Sequence, residues 1–271
     1  MTFASGSRPW SRAVTDTGVY LYAIGRGMQP ADLDGVEGVD GSLVRLVEVG
    51  DLCGVVSTVR LSDFGEEGLR RNLENLTWVE AVARAHNAVV EQCFVRGPVA
   101  PVSLATVCFD DDGVRARLQT WKEPVERVLQ QVAGCCEMGV KVHGTPTTSV
   151  DTPVADPSQG APKAGAGLAY LRRRQAESSQ RQAASEAAVQ VAAQVHAELA
   201  GQSVASRRHP PQDRRLAGRG DMILNGAYLV DHERRDSFER LVRRIADERP
   251  DLQLEVTGPW PPYSFVSLDA P

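Results

Sequence analysis

The stretch Leu252-Gln253-Leu254-Glu255-Val256-Thr257-Gly258-Pro259-Trp260-Pro261-Pro262-Tyr263-Ser264-Phe265 carries two local signals in succession. Leu252 to Val256 alternates apolar and polar residues, which predicts a half-buried strand. Gly258, Pro259, Pro261 and Pro262 then fall within five residues. Proline fixes φ, lacks an N–H and pushes its predecessor toward extended geometry, so helix and central strand are excluded and a stiff extended arm over 258–271 is expected. Trp260, Tyr263 and Phe265 are large rings on that pre-ordered backbone, and such rings fill pockets at little entropic cost. The strand feeds straight into Gly258 and its sheet needs cover there. Trp260 and Phe265 are therefore expected to be buried, the arm acting as a clasp across the protein's own domains, with partner contact secondary.

Upstream, Phe238, Leu241, Val242 and Ile245 keep i, i+3, i+4, i+7 spacing on an arginine-rich helix that Asp231 caps and Pro250 stops. Met222 to Val230 reads as a strand with a bulge expected at Asn225-Gly226. Strand, helix and strand over about 35 residues suit a right-handed crossover. A long helix over 167–199, with Ala188, Val191, Val195 and Leu199 on one face, completes a ferredoxin-like α+β domain over 167–257. Within it, residues 201–220 carry five arginines and Pro210-Pro211 and are expected to form a basic exposed loop.

The first half has its own architecture. Val19 to Ile24 is aromatic and β-branched and reads as a strand; Leu43 to Val49 and Leu52 to Val59, split by Gly50-Asp51, read as a hairpin. A helix follows in which Trp78, Val82, Ala85, Val89 and Cys93 share one stripe, with Thr77 expected as its cap and His86 as a hydrogen-bonding residue at the core edge. Gly97 to Phe109 is extended and proline-punctuated. Asp110-Asp111-Asp112 precede another amphipathic helix and are read as its cap rather than as a metal site, because carboxylates that bind hard cations converge from several positions. Pro124 is expected to kink or divide that helix, Gly134 to end it, and Met138 to His143 to return as a strand. The fold class expected is α+β in two domains, a mixed α/β sheet domain over 18–144 and the ferredoxin-like domain, closed by the proline/aromatic arm. Residues 1–17 are expected to be a disordered leader, and 145–166, with four prolines and almost no core formers, a disordered linker or insert.

Composition narrows function. The chain's 271 residues are 42% hydrophobic and carry a formal charge of −5, which disfavours nucleic acid as the main partner. Residues 151–271 balance 16 basic with 16 acidic groups, so Arg172 to Arg174 read as a solvated helix face. Cys53, Cys93, Cys108, Cys135 and Cys136 lack paired spacing and read as reduced, buried thiols of a protein that stays in the cytoplasm, with no metal site. No window approaches the roughly 20 apolar residues that span a bilayer. G-x-S-x-G, H-E-x-x-H and P-loop motifs are absent, Gly165-Ala166-Gly167 lacks a third glycine, and the five histidines are scattered. No catalytic residue, cofactor or metal is expected.

Several of these features together resemble the gas vesicle protein family GvpL/GvpF. They are the opening strand with Tyr20, the helix carrying Trp78 and Ala85-His86-Asn87, Pro98-Val99-Ala100-Pro101, Gly139-Val140-Lys141-Val142, and the helix start Gly167-Leu168-Ala169-Tyr170. The long terminal motif Gly258-Pro259-Trp260-Pro261-Pro262-Tyr263-Ser264-Phe265 completes the series. The resemblance implies a two-domain protein whose second domain is a modified ferredoxin fold, and a non-enzymatic minor component or assembly factor of the gas vesicle. Its partners would be the apolar vesicle wall protein and other gas vesicle accessory proteins, with neither nucleic acid nor membrane, engaged through a groove or edge with help from the basic residues 207–219. Two other readings stay open: a ferredoxin-like enzyme or small-ligand binder with a polar pocket of strongly shifted groups, and a proline-rich ligand with Pro259 to Pro262 exposed.

Overall fold

The computed structural model describes residues 16–144, 166–210 and 222–268, with backbone only at 166–169, 171, 173 and 181. Residues 1–15 of the leader expected over 1–17, residues 145–165 of the insert expected over 145–166 and residues 211–220 of the loop expected over 201–220 lie outside them. The chain divides into two compact units, residues 1–133 with 266–271, and residues 134–265.

In the first unit, β1 (Thr17–Arg26), β2 (Arg45–Val49), β3 (Leu52–Arg60), β4 (Val99–Pro101) and β5 (Val107–Cys108) form an antiparallel sheet of order β2-β3-β1-β4, with β5 also on β1. Apart from their ends, β1 and β3 are almost wholly buried. That is why both read as nearly continuous apolar runs, the pattern of strands covered on both faces. Short helices α1 (Leu61–Phe64) and α2 (Glu66–Asn72) lead to α3 (Leu76–Arg96), which packs on β1 and β4 through Val82, His86, Val89, Val90 and Cys93. Its cap is Asn75, whose side chain accepts from the N–H groups of Thr77 and Trp78, so the expected Thr77 cap sits two residues late.

Asp110 caps α4 (Asp111–Thr120) by accepting from the Gly113 N–H at 2.8 Å. Asp111 instead pairs with Arg45 of β2 through two contacts of 2.7 and 2.9 Å. The helix divides at Trp121 and resumes as α5 (Lys122–Val132), placing Pro124 in a first turn, where its missing N–H costs nothing.

The second unit is a four-stranded antiparallel sheet of order β7-β8-β6-β9: β6 (Cys135–Gly144), β7 (Ala205–Arg208), β8 (Met222–Asp231) and β9 (Leu252–Trp260). With α6 (Ala166–Ala200) after β6 and α7 (Arg235–Glu248) between β8 and β9, the order is βαββαβ with split crossovers, the ferredoxin-like arrangement. Three expectations are corrected. β6 is the second sheet's central strand, not the end of an 18–144 domain, because its partners are β8 and β9. Ala205–Arg208 is an edge strand rather than loop. β9 runs on through Gly258 and Pro259 to Trp260, since a strand paired on one side tolerates a proline.

The bulge expected at Asn225-Gly226 is also displaced, the β8 register slipping instead opposite Val142 and His143. Near its end α6 buries Ala192, Val195 and Leu199, and α7 buries Phe238, Val242 and Ile245.

Candidate interaction surface

Of the family-motif residues of the first unit, Tyr20, Trp78 and His86 meet in one aromatic cluster. Tyr20 and Tyr22 are two apart on β1 with ring centres 4.7 Å apart and planes tilted at 41°, and His86 of α3 lies 5.7 and 5.5 Å from their rings. The Tyr20 hydroxyl lies 3.1 Å from His86 Nδ1 and accepts from the Ala105 N–H at 2.9 Å. Tyr22 meets Ser57 Oγ at 2.7 Å and accepts from the Val39 N–H. Phe64 bridges Tyr20 to Trp78, which is half-buried, and Pro101 is buried in β4 while Pro98 is exposed. Desolvation lowers the His86 pKa to about 4, partly offset by the Val102 backbone, and desolvation raises that of Tyr22. A neutral imidazole within hydrogen-bond reach of Tyr20 and packed against the Tyr22 ring joins α3 to β1.

The terminal motif belongs to the second unit and behaves differently from the expectation. Trp260 is 44% and Tyr263 36% exposed, whereas Pro261, Pro262 and Phe265 are buried. The burial expected for Trp260 is therefore overturned: strand pairing of β9 carries its backbone along the sheet edge, and the chain turns inward only after it. Buried Pro261 and Pro262 also remove the reading as an exposed proline-rich ligand. Gly258 has φ 117°, and a Cβ there would stand 2.7 Å from the Glu137 carbonyl, so the motif's glycine is required by both conformation and space. Tyr170 is exposed on α6.

What holds the arm was missed in the sequence. Ser264, in the 3-10 turn Tyr263–Phe265, donates its N–H to Glu137 Oε2 at 2.8 Å and its hydroxyl to Oε1 at 2.6 Å, and His209 Nε2 lies 3.0 Å from the same hydroxyl oxygen. Serine, histidine and glutamate invite comparison with a hydrolase triad. The order is wrong for one: the serine's single proton goes to the carboxylate, so His209 must donate to Ser264 and has no lone pair there to act as base. The only prior signal was alternation along β6, which puts Glu137, Gly139 and Lys141 on one face.

Elsewhere, an open groove of about 610 Å³ runs beside β2, lined by Pro30, Leu33, Leu43, Arg45, Glu48 and Arg115 among others. The groups with the largest shifts, His86, Cys93, Cys136 and Tyr228, all driven first by burial, do not line it. Cys135 and Cys136 are both buried and, being neighbours on β6, point to opposite faces of the sheet, which removes a vicinal redox pair. Among the described residues no three His, Cys, Asp or Glu side chains gather as a metal site, and no helix is long and apolar enough to cross a membrane.

The surface that stands out is the outer strand β9 and the turn after it. Its far edge has no partner strand among the described residues, and beside it Val256 and Trp260 expose apolar area on opposite faces of the sheet, with Tyr263 exposed in the turn beyond.

Comparison with known proteins agrees with this architecture. The family model described as "Gas vesicle synthesis protein GvpL/GvpF" matches residues 18–267. Gas vesicle protein L of Streptomyces sp. (strain CB03234) is 38% identical over 255 residues, covering 94% of each chain. Gas vesicle protein F2 of Halobacterium salinarum is 26% identical over 261 residues, again covering 94% of each. The crystal structure of GvpF from Anabaena sp. PCC7120 superposes with a TM-score of 0.67 at 22% identity, over 94% of this chain and 98% of that one. The chain belongs to the GvpL/GvpF family of gas vesicle synthesis proteins.

Proposed function

We propose that this protein is a non-enzymatic assembly factor or minor component of the gas vesicle, working in the cytoplasm and at the vesicle, that engages the apolar wall subunit through the outer strand β9 and the arm. The observation that carries this reading is a sheet edge with no partner strand among the described residues, beside which Val256, Trp260 and Tyr263 are exposed. An edge strand offers main-chain hydrogen bonds and apolar contacts together, the combination that captures an apolar chain before it polymerises. The half-buried anchor Ser264–Glu137 holds that edge in place without covering it.

Two observations favour this over a catalytic reading. The most strongly shifted groups are buried, and the Ser264–His209–Glu137 cluster runs its proton the wrong way for a nucleophile. The test is co-expression with the wall subunit and purification through a tag on this chain. Recovery of the wall subunit in the soluble complex is expected. Its absence from both soluble and vesicle-bound fractions would sink the proposal.

A further inference from the structure

β7 is the other outermost strand of the second sheet, paired among the described residues with β8 alone. The His209 N–H donates to the Asn225 carbonyl at 2.8 Å and the Val204 N–H to the Leu229 carbonyl at 2.7 Å, so Asn225 and Leu229 of β8 face β7. In an alternating antiparallel ladder this turns the main-chain groups of residues 205, 207 and 209 inward and those of Ser206 and Arg208 outward. Ser206, Arg207 and Arg208 are exposed, and Val204 is 59% exposed beside them.

The charges on this edge are unbalanced. Among the described residues neither Arg207 nor Arg208 has an ion-pair partner, whereas Arg235, Arg243, Arg244 and Arg249 of the same unit do. The nearby carboxylate of Glu137 is already taken by the two donors of Ser264. A short charged edge strand can serve only to prevent edge-to-edge aggregation. That reading accounts for one arginine pointing to each face, and it also decides what the edge refuses: pairing with β7 of a second copy would set arginines against arginines. The same two charges attract an acidic strand, and the outward groups of Ser206 and Arg208 give it a register.

We infer that β7 is a strand-addition site for an extended acidic segment of a partner protein. This does not depend on the wall subunit as the partner of β9. The probe is a fluorescein-labelled peptide of alternating glutamate and valine, with an alternating lysine and valine peptide as control, titrated with the full chain and read by fluorescence anisotropy. The acidic peptide is expected to bind and the lysine peptide not. Arg207→Glu with Arg208→Glu should weaken binding at least about tenfold. Ser206→Pro, which deletes one outward N–H at an exposed edge position, should weaken it about fivefold at an unchanged melting temperature. The acidic peptide N-methylated at alternate residues should fail against the unaltered protein, a test independent of any variant's folding. No binding, equal binding of both peptides, or acidic binding indifferent to N-methylation overturns the inference, the last marking diffuse attraction of a polyanion.

Discussion

Ser264 meets Glu137 twice, through its N–H at 2.8 Å and its hydroxyl at 2.6 Å, across 127 residues of sequence. Both bonds are charge-assisted, and Glu137 sits on the central strand β6, so the arm's turn is anchored to the middle of its sheet. Glu137→Ala leaves the N–H and the hydroxyl without their acceptor and should cost about 2–3 kcal/mol in thermal unfolding. Glu137→Gln, which keeps one acceptor, should cost less. Equal, negligible effects of both would show that the anchor contributes nothing.

The two rings of the arm should separate in their energetics. Phe265 is 7% exposed and its truncation to alanine should cost about 3–5 kcal/mol, as for a buried aromatic. Trp260, 44% exposed, leaves no closed cavity, and Trp260→Ala should cost about 1–2 kcal/mol. Urea unfolding of both variants checks the ranking.

Gly258→Ala forces a side chain into φ 117° and against the Glu137 carbonyl. A loss of about 2–3 kcal/mol is expected, measured by the same denaturation. Alanine at Gly41, whose φ is 72° but which has no atom within 4 Å of a Cβ, should cost only the conformational part, about 1 kcal/mol.

His86 makes stability depend on acid. Its folded pKa is about 4 against about 6.5 unfolded, so between those values the unfolded chain binds the extra proton. Above about pH 6.5 the residue has no effect; as pH falls toward 4 it destabilises the fold by up to about 3 kcal/mol. His86→Gln, which can still bond to Tyr20 but does not titrate, should flatten this part of the stability–pH curve. An unchanged slope contradicts the assignment.

Much of this was legible where local physics decides. The β2–β3 hairpin, the core stripes of α3 and α7 and the Asp110 cap follow from alternation, helical spacing and a carboxylate before an amphipathic run. Even the ferredoxin-like order could be read from strand, helix and strand. What escaped depends on partners distant in sequence. Cys135–Gly144 joins the second sheet because β8 and β9 flank it. Ala205–Arg208 looks like loop until β8 supplies its ladder. Nothing local marks Glu137 as the acceptor for Ser264. Trp260 was misread for a related reason: an edge strand tolerates the proline that a central strand cannot, so the backbone stays in the sheet and leaves the ring outside.

The central claim is that the outer edge of β9, with Val256 and Trp260 exposed beside it, meets the wall subunit. It is tested most directly by Val256→Ser with Trp260→Ser, comparing recovery of co-expressed wall subunit with the melting temperature of the isolated protein. The account predicts that recovery falls at least about tenfold while the melting temperature drops by only a few degrees. Full recovery of the wall subunit by a folded double variant would contradict it.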